Sequence, residues 1–195
     1  MDTVTPSTRS RMMASIHGKD TRPELLIRKA LFARGFRFRV NCKDLPGRPD
    51  LKLTKHGAVI LVHGCFWHGH NCRYFRLPSS NVGFWEDKIR KNRERDLRDV
   101  QALRVAGWRV CIVWECATRL VSPGTAVSGL ASRISRWIEG RSTFVEFFDA
   151  AAMDGRSRPS VRSAKSQVGT NGTMTGFAAE RSPPYGATVA NHASP

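Results

Sequence analysis

Residues 50–63, DLKLTKHGAVILVH, decide how the rest of the chain is read. Asp50 to Thr54 alternates polar and apolar positions, Ala58 to His63 is almost continuously apolar, and Lys55, His56 and Gly57 between them favour a reversal. Two such runs about a short turn read as a β-hairpin. The unbroken apolar run suits a central strand covered on both faces. A turn centred near His56 and Gly57 places Asp50 opposite Val62 or His63 in an antiparallel register. A carboxylate and an imidazole distant in sequence are thereby expected to be neighbours.

Working outward, Thr21 and Glu24 stand at capping-box spacing, Pro23 is tolerated in a first turn, and Gly35 sits where a helix ends, so a helix is expected over 22–34. Phe36, Phe38 and Val40 alternate with Arg37 and Arg39, the period of a half-buried strand. Past the hairpin, Ile89, Leu97, Val100, Leu103 and Val105 recur among many charges, predicting a helix over about 84–106 that Gly107 closes. Residues 108–114 read as a further strand and 124–139 as a last helix. The fold class is α/β. From about Asp149 the sequence is rich in Ser, Gly, Ala and Pro with isolated apolar residues, which predicts a disordered tail over 149–195 beyond a folded domain over 21–148.

The 195 residues suffice for one domain with a tail, and 41% hydrophobic and 9% aromatic content excludes collagen-like and wholly disordered chains. Lys and Arg number 32 against 16 Asp and Glu, a net charge of +16 that points to a polyanionic partner. The longest apolar run, 58–62, is far short of the roughly 18 residues that cross a bilayer, and no membrane association is expected. Residues 1–20 are polar and basic without the apolar core of an export signal, so a cytoplasmic, reducing location is expected. The five cysteines, an odd count set partly beside histidines, suit thiolate ligands better than a disulfide framework.

The densest chemistry is His63-Gly64-Cys65-Phe66-Trp67-His68-Gly69-His70-Asn71-Cys72. Cys65, His70 and Cys72 supply three donors for a tetrahedral zinc, with Cys111 or Cys116 to complete it. Cys116, just past a strand end, is favoured; Cys111 lies inside an apolar strand where a thiol packs as a small hydrophobe. Ordinary burial is the plain alternative for Cys65 and Cys72. His63 and His68 are then free for acid and base work beside Asp50, which could hold Mg²⁺ or, beside Pro and Gly, merely cap a turn. Phe66-Trp67 and Phe84-Trp85 are aromatic pairs near charge, able to wedge between base steps or to serve as core. Lys88, Arg90, Lys91, Arg93, Arg95 and Arg98 make the long helix basic, in keeping with phosphate contacts or simply a solvated face.

These residues resemble the very short patch repair (Vsr) endonucleases. The resemblance rests on Thr8-Arg9-Ser10 with Met13 and Ile16, Leu45-Pro46-Gly47-Arg48-Pro49-Asp50, His63 to His68, Phe84-Trp85, Glu94-Arg95-Asp96, and Gly107-Trp108-Arg109-Val110 through Val113-Trp114-Glu115-Cys116. It implies a restriction-endonuclease-like fold, a central mixed β-sheet flanked by helices with a structural zinc site. It also implies a Mg²⁺-dependent enzyme that nicks one strand of double-stranded DNA beside the T of a T:G mismatch. By the same resemblance Asp50 and the Val62 carbonyl hold Mg²⁺, and His68 activates water with His63, Glu24 and Asp96 in support. Cys65, His70, Cys72 and Cys116 form the Zn²⁺ set, and Phe66, Trp67 and Trp85 enter the duplex. An arm over 1–20 with Met13 and Ile16, and Lys88 and Lys91 on the helix, contact DNA. The resemblance further implies hand-over to a repair polymerase, and coupling to mismatch-repair proteins is expected with it; monomer or dimer stays open, although a lone nick requires only one active site, which suits a monomer. The competing readings are a zinc-stabilised DNA-binding module without catalysis, which leaves Asp50, His63 and His68 unassigned, and a restriction-type endonuclease cutting both strands.

Overall fold

The computed structural model describes residues 5, 7–8, 19–119 and 126–153. The arm expected over 1–20, Met13 and Ile16 included, lies almost wholly outside the described residues, as does the expected tail from 154 onward.

Helix α1 runs over Arg22–Ala33 with proline in its first turn. Thr21 and Glu24 meet, but the capping box does not close, because the backbone N–H that Glu24 accepts belongs to Asp20, one residue before the N-cap. Glu24 reaches back to accept Asp20 N–H (2.9 Å), but the Thr21 hydroxyl donates to Glu24 Oε1 (2.7 Å) and so does not cap a backbone N–H. At the other end Gly35 adopts φ 87°, and Phe36 N–H bonds the Leu31 carbonyl (3.1 Å), the six-to-one closure of a Schellman turn. That closure occupies Phe36, so the strand expected over 36–40 shrinks to β1, Arg39–Val40.

Strands β2 (Leu51–Leu53) and β3 (Ala58–His63) form the expected hairpin in a different register. Leu51 pairs with Ile60, Lys52 with Val59 and Leu53 with Ala58, which sets Asp50 opposite Leu61 rather than Val62 or His63. The reversal consumes a 3₁₀ turn, Thr54–His56, and Gly57 in the left-handed region (φ 56°), moving its centre toward the N-terminus. Asp50 still meets Val62, through its side chain.

Helix α2 (Val82–Val105) leads into β4 (Arg109–Trp114), a short helix α3 (Glu115–Arg119), helix α4 (Ala126–Glu139) and β5 (Phe144–Phe147). The sheet order is β1-β2-β3-β4-β5, antiparallel between β1, β2 and β3 and parallel from β3 through β5. This is a central mixed sheet flanked by helices, as the fold class requires. Neither α3 nor β5 is evident in the sequence pattern.

Side chains alternate across a sheet. Ala58 and Ile60 of β3 and Cys111 and Val113 of β4 join a core with Ile27 and Leu31 of α1 and Leu130, Ile134 and Ile138 of α4. The intervening Val59, Val110 and Ile112 are equally buried, on the opposite face, and α2 packs against β4 through its buried residues Val100 and Leu103. Each such side chain contributes about 1.5–3 kcal/mol by leaving water, which makes the central strands a stiff platform. The packed body extends past the expected boundary at 148. Asp149 accepts Ala151 N–H (3.0 Å) to cap a 3₁₀ turn, and Arg73 N–H donates to the Ala152 carbonyl (2.8 Å). Backbone pairing holds a segment whose composition offers little apolar surface. Among the described residues no helix is long and apolar enough to cross a membrane.

Candidate active site and metal centre

Parallel pairing of β3 with β4 aligns their carboxyl ends, with His63 registered against Trp114. The loop after β3 carries Cys65 to Cys72, and Cys116 follows β4 by two residues, so two clusters form side by side at one end of the sheet.

The first contains His63, His68 and Asp96, whose donor atoms all lie within 4.8 Å of one another. The two imidazoles are stacked, with centroids 3.9 Å apart and planes 4° from parallel. His68 Nδ1 lies 2.6 Å from Asp96 Oδ2 on α2. Burial holds the His63 ring well below its ordinary pKa, and the neighbouring His68 and Arg95 push the same way. His63 is therefore neutral at pH 7. The carboxylate at Nδ1 fixes the His68 tautomer and leaves Nε2 as the hydrogen-bond acceptor.

Asp50 is not one of these donors, though it is near enough for the His68 charge to act on it. Its Oδ2 accepts Val62 N–H at 2.7 Å. Burial pushes its carboxyl up to about 6, against the Val62 hydrogen bond, and the negative charge of Glu24 adds to the rise. A divalent cation beside the carboxylate reverses that balance. Hard cations of the Mg²⁺ type use one or two carboxylates together with water and substrate phosphate, so the donor set fits. Glu24 is buried and already occupied: Asp20 N–H and Arg28 Nη2–H both donate to its Oε2 at 2.9 Å. It acts on Asp50 by charge rather than by joining the histidines.

The second cluster is Cys65, His70, Cys72 and Cys116, all buried, with the four donor atoms again within 4.8 Å. His70 Nδ1 lies 3.7 Å from Cys65 Sγ and 3.6 Å from Cys116 Sγ. Tetrahedral zinc with bonds of about 2.0–2.3 Å needs donors about 3.3–3.8 Å apart, so these residues fit the ion. Cys116 N–H donates to Cys65 Sγ (3.3 Å) and Asp149 N–H to Cys116 Sγ (3.5 Å), the backbone support that thiolates require. The Cys65 thiol holds Cys116 in its thiolate form, lowering it to about 4, and is itself pushed up in exchange. Cys111 is part of the hydrophobic core, and burial keeps its thiol protonated.

Gly69 joins the clusters. It has φ 61°, and a Cβ there would lie 2.6 Å from Ile89 Cγ2, so only glycine lets the loop close on α2. Phe66, Trp67 and Trp85 form an aromatic group of intermediate exposure, Phe66 at 5.1 Å from Trp67 and 5.3 Å from Trp85, with Phe84 beside it and 58% exposed. Lys88 Nζ sits 5.6–5.8 Å from the rings of Trp67, Phe84 and Trp85. Lys91 instead pairs with Asp87 at 2.8 Å, and Arg90 pairs with Asp87 and Glu94, so part of the basic helix neutralises itself.

Sequence reasoning missed Asn92, whose Nδ2–H donates to the Trp67 carbonyl at 2.9 Å. The signal was available: Trp85, Lys88, Asn92 and Asp96 recur every three or four residues and so share one face of α2. It also missed Arg28, Trp114 and Glu146, whose partners come from other elements.

A family model described as DNA mismatch endonuclease Vsr matches residues 1–74. The DNA mismatch endonuclease Vsr of Escherichia coli (strain K12) is 44% identical over 142 residues, covering 72% of this chain and 90% of the relative. The chain belongs to the Vsr family. Other Vsr-like relatives are named nicking enzymes. The type II nicking enzyme V.NmeAIP of Neisseria meningitidis serogroup A is 49% identical over 115 residues, 59% of this chain and 82% of its own length. V.XorIIP of Xanthomonas oryzae pv. oryzae is 47% identical over 115 residues, 59% of this chain and 85% of its own length. As a member of the Vsr family this protein is an endonuclease.

Proposed function

We propose that this endonuclease nicks one strand of duplex DNA beside the T of a T:G mismatch, with Mg²⁺ at Asp50 and the Val62 carbonyl and Zn²⁺ held by Cys65, His70, Cys72 and Cys116. The observation that carries the reading is that the loop after β3 lays His68 on His63 and against Asp96 while setting Phe66 and Trp67 against Trp85 of α2, so that a stacked imidazole pair and a partly exposed aromatic group stand side by side. Bound Mg²⁺ supplies charge neutralisation at the phosphate and acidifies water. His68 Nε2 takes the proton from the attacking water while Asp96 holds Nδ1–H and stabilises the imidazolium. His63, kept neutral by burial, shields that ring from solvent. Glu24 tunes Asp50 electrostatically, and its bonds to Asp20 and Thr21 anchor the base of the DNA-contacting arm over 1–20, where Met13 and Ile16 belong.

Phe66, Trp67 and Trp85 enter the duplex, and Lys88 brings a cation to the same place; Lys91 must leave Asp87 to reach a phosphate. A T:G pair stacks less well than a Watson–Crick pair and costs less to pry apart, so selectivity arises from deformation. One active site suffices for one nick, so the monomer is the working unit, handing its product to a repair polymerase and to mismatch-repair proteins. The test is a nicking assay on duplexes differing only in T:G versus C:G, with and without Mg²⁺. One nick, on the T strand of the mismatched duplex and only with Mg²⁺, is expected. Equal cutting of both duplexes overturns mismatch selection, and cutting of both strands favours the restriction-type reading.

A further inference from the structure

Trp114 lies between the two clusters and belongs to neither. Its indole stacks on His70, with centroids 4.2 Å apart and planes 16° from parallel. It also meets His63 at 5.3 Å and His68 at 6.4 Å, both at 76°. The zinc-type ligand and both hydrolytic imidazoles thus share one aromatic neighbour.

Two further observations make this more than core packing. Trp114 Nε1–H donates to Glu146 Oε2 (3.2 Å) on β5, while Glu146 Oε1 is buried with no hydrogen-bond partner among the described residues. A carboxylate with one oxygen buried and unused costs more stability than a neutral acceptor in its place would. In addition, His63 Nδ1 is buried with no hydrogen-bond partner among the described residues, although histidines in hydrolytic sites are ordinarily oriented through a hydrogen bond at one ring nitrogen. Among the described residues the His63 plane is set by ring contacts, with His68 stacked on one side and Trp114 at an angle to it. His68 has Asp96 to fix its tilt; His63 depends on the indole.

We propose that Trp114, tethered by Glu146, is a positioning residue that transmits the rigidity of the Cys65–His70–Cys72–Cys116 centre to the His63–His68 pair. The inference rests on the reading above, in which those histidines serve hydrolysis. A hydrogen bond at the indole edge stops rotation of the ring, its face keeps His70 and the loop in place, and its contact with His63 holds the stack parallel.

The test compares Trp114→Phe, Glu146→Ala and Glu146→Gln in the full-length, zinc-loaded protein, measuring kcat and KM for T:G nicking, zinc content and melting temperature. Phenylalanine keeps an aromatic face and loses the N–H; glutamine keeps an acceptor for that N–H; alanine does not. Trp114→Phe and Glu146→Ala are each expected to lower kcat about tenfold with KM within about twofold and zinc unchanged, a modest loss beside the roughly hundredfold that a 1 Å misplacement can cost. Glu146→Gln is expected to recover most of the kcat lost in Glu146→Ala, and combining Trp114→Phe with Glu146→Ala to cost no more than either alone. Unchanged kcat in Trp114→Phe, a loss that tracks zinc content, or a Glu146→Gln as impaired as Glu146→Ala each overturns the proposal. Asp50→Asn and His68→Ala run alongside: if they still nick, the underlying reading fails, whereas if they are inactive and Trp114→Phe is not, only the positioning role fails.

Discussion

The ten residues from His63 to Cys72 feed two neighbouring centres that treat the same side chain in opposite ways. His70 is buried among three thiols, its Nδ1 within 3.7 Å of two sulfurs, and every donor points inward. His68 is only partly buried, faces a carboxylate at 2.6 Å, and lies against a second imidazole. A closed set of soft donors can do little besides hold a structural ion, whereas an imidazole oriented by a carboxylate at one nitrogen and free at the other can move a proton. Residue type does not separate the two roles; the partners within the next few ångströms do.

The most severe way to break this contrast is Cys72→Ser. Structural zinc sites contribute of order 10 kcal/mol to folding, comparable with the whole stability of an ordinary domain, so the variant should lose zinc and its cooperative thermal transition together. A folded, zinc-free Cys72→Ser protein would make the closed centre dispensable. Next in size, Asp50→Ala should abolish nicking while mismatched duplex still binds in a gel-shift titration; loss of binding in step would reassign Asp50 to the fold. His68→Ala and Asp96→Asn test the open centre, with kcat expected to fall about 10²–10⁴-fold for the first and less for the second, at unchanged zinc content.

A pH measurement sharpens the comparison further. The Asp50 carboxyl is raised from 3.8 to about 6 in the folded protein, so the native state binds its proton more tightly than the unfolded chain does. Its contribution therefore favours folding below about pH 4 and is lost as pH rises through about 6. Without added Mg²⁺, Asp50→Asn should melt a few degrees above wild type at pH 7.5, with the gap closing toward pH 4. A constant gap would mean that the effect is not electrostatic. The smallest effect is at Lys91, whose exposed pair with Asp87 is worth under about 1 kcal/mol; Lys91→Ala should leave the melting temperature within about two degrees and make the salt dependence of DNA binding shallower by about one phosphate contact at most.

Much of the scaffold was legible because long periodic segments carry their own signal. The apolar run 58–62 announces a central strand, and Gly35 and Gly107 end the helices that their neighbours begin. Strand β5 was not legible: Phe144-Val145-Glu146-Phe147 is four residues long, only its last is buried, and its pairing with β4 is a long-range fact. The hairpin was legible but its register was not, since a 3₁₀ turn and a left-handed glycine reset the pairing. The site followed the same division. Cys65, His70 and Cys72 advertise themselves by spacing, whereas the contact of His68 with Asp96 spans 28 residues and that of Trp114 with Glu146 spans 32, distances at which local pattern says nothing.

The fit of Gly69 under Ile89 and the Arg93 stem has a practical corollary for protein engineering. A single hydrogen atom in place of a methyl group lets residues 65–72 lie flat on α2. Anyone transplanting that segment into a new scaffold would have to carry over the underlying helix turn with it, because the loop has a mould as well as a sequence.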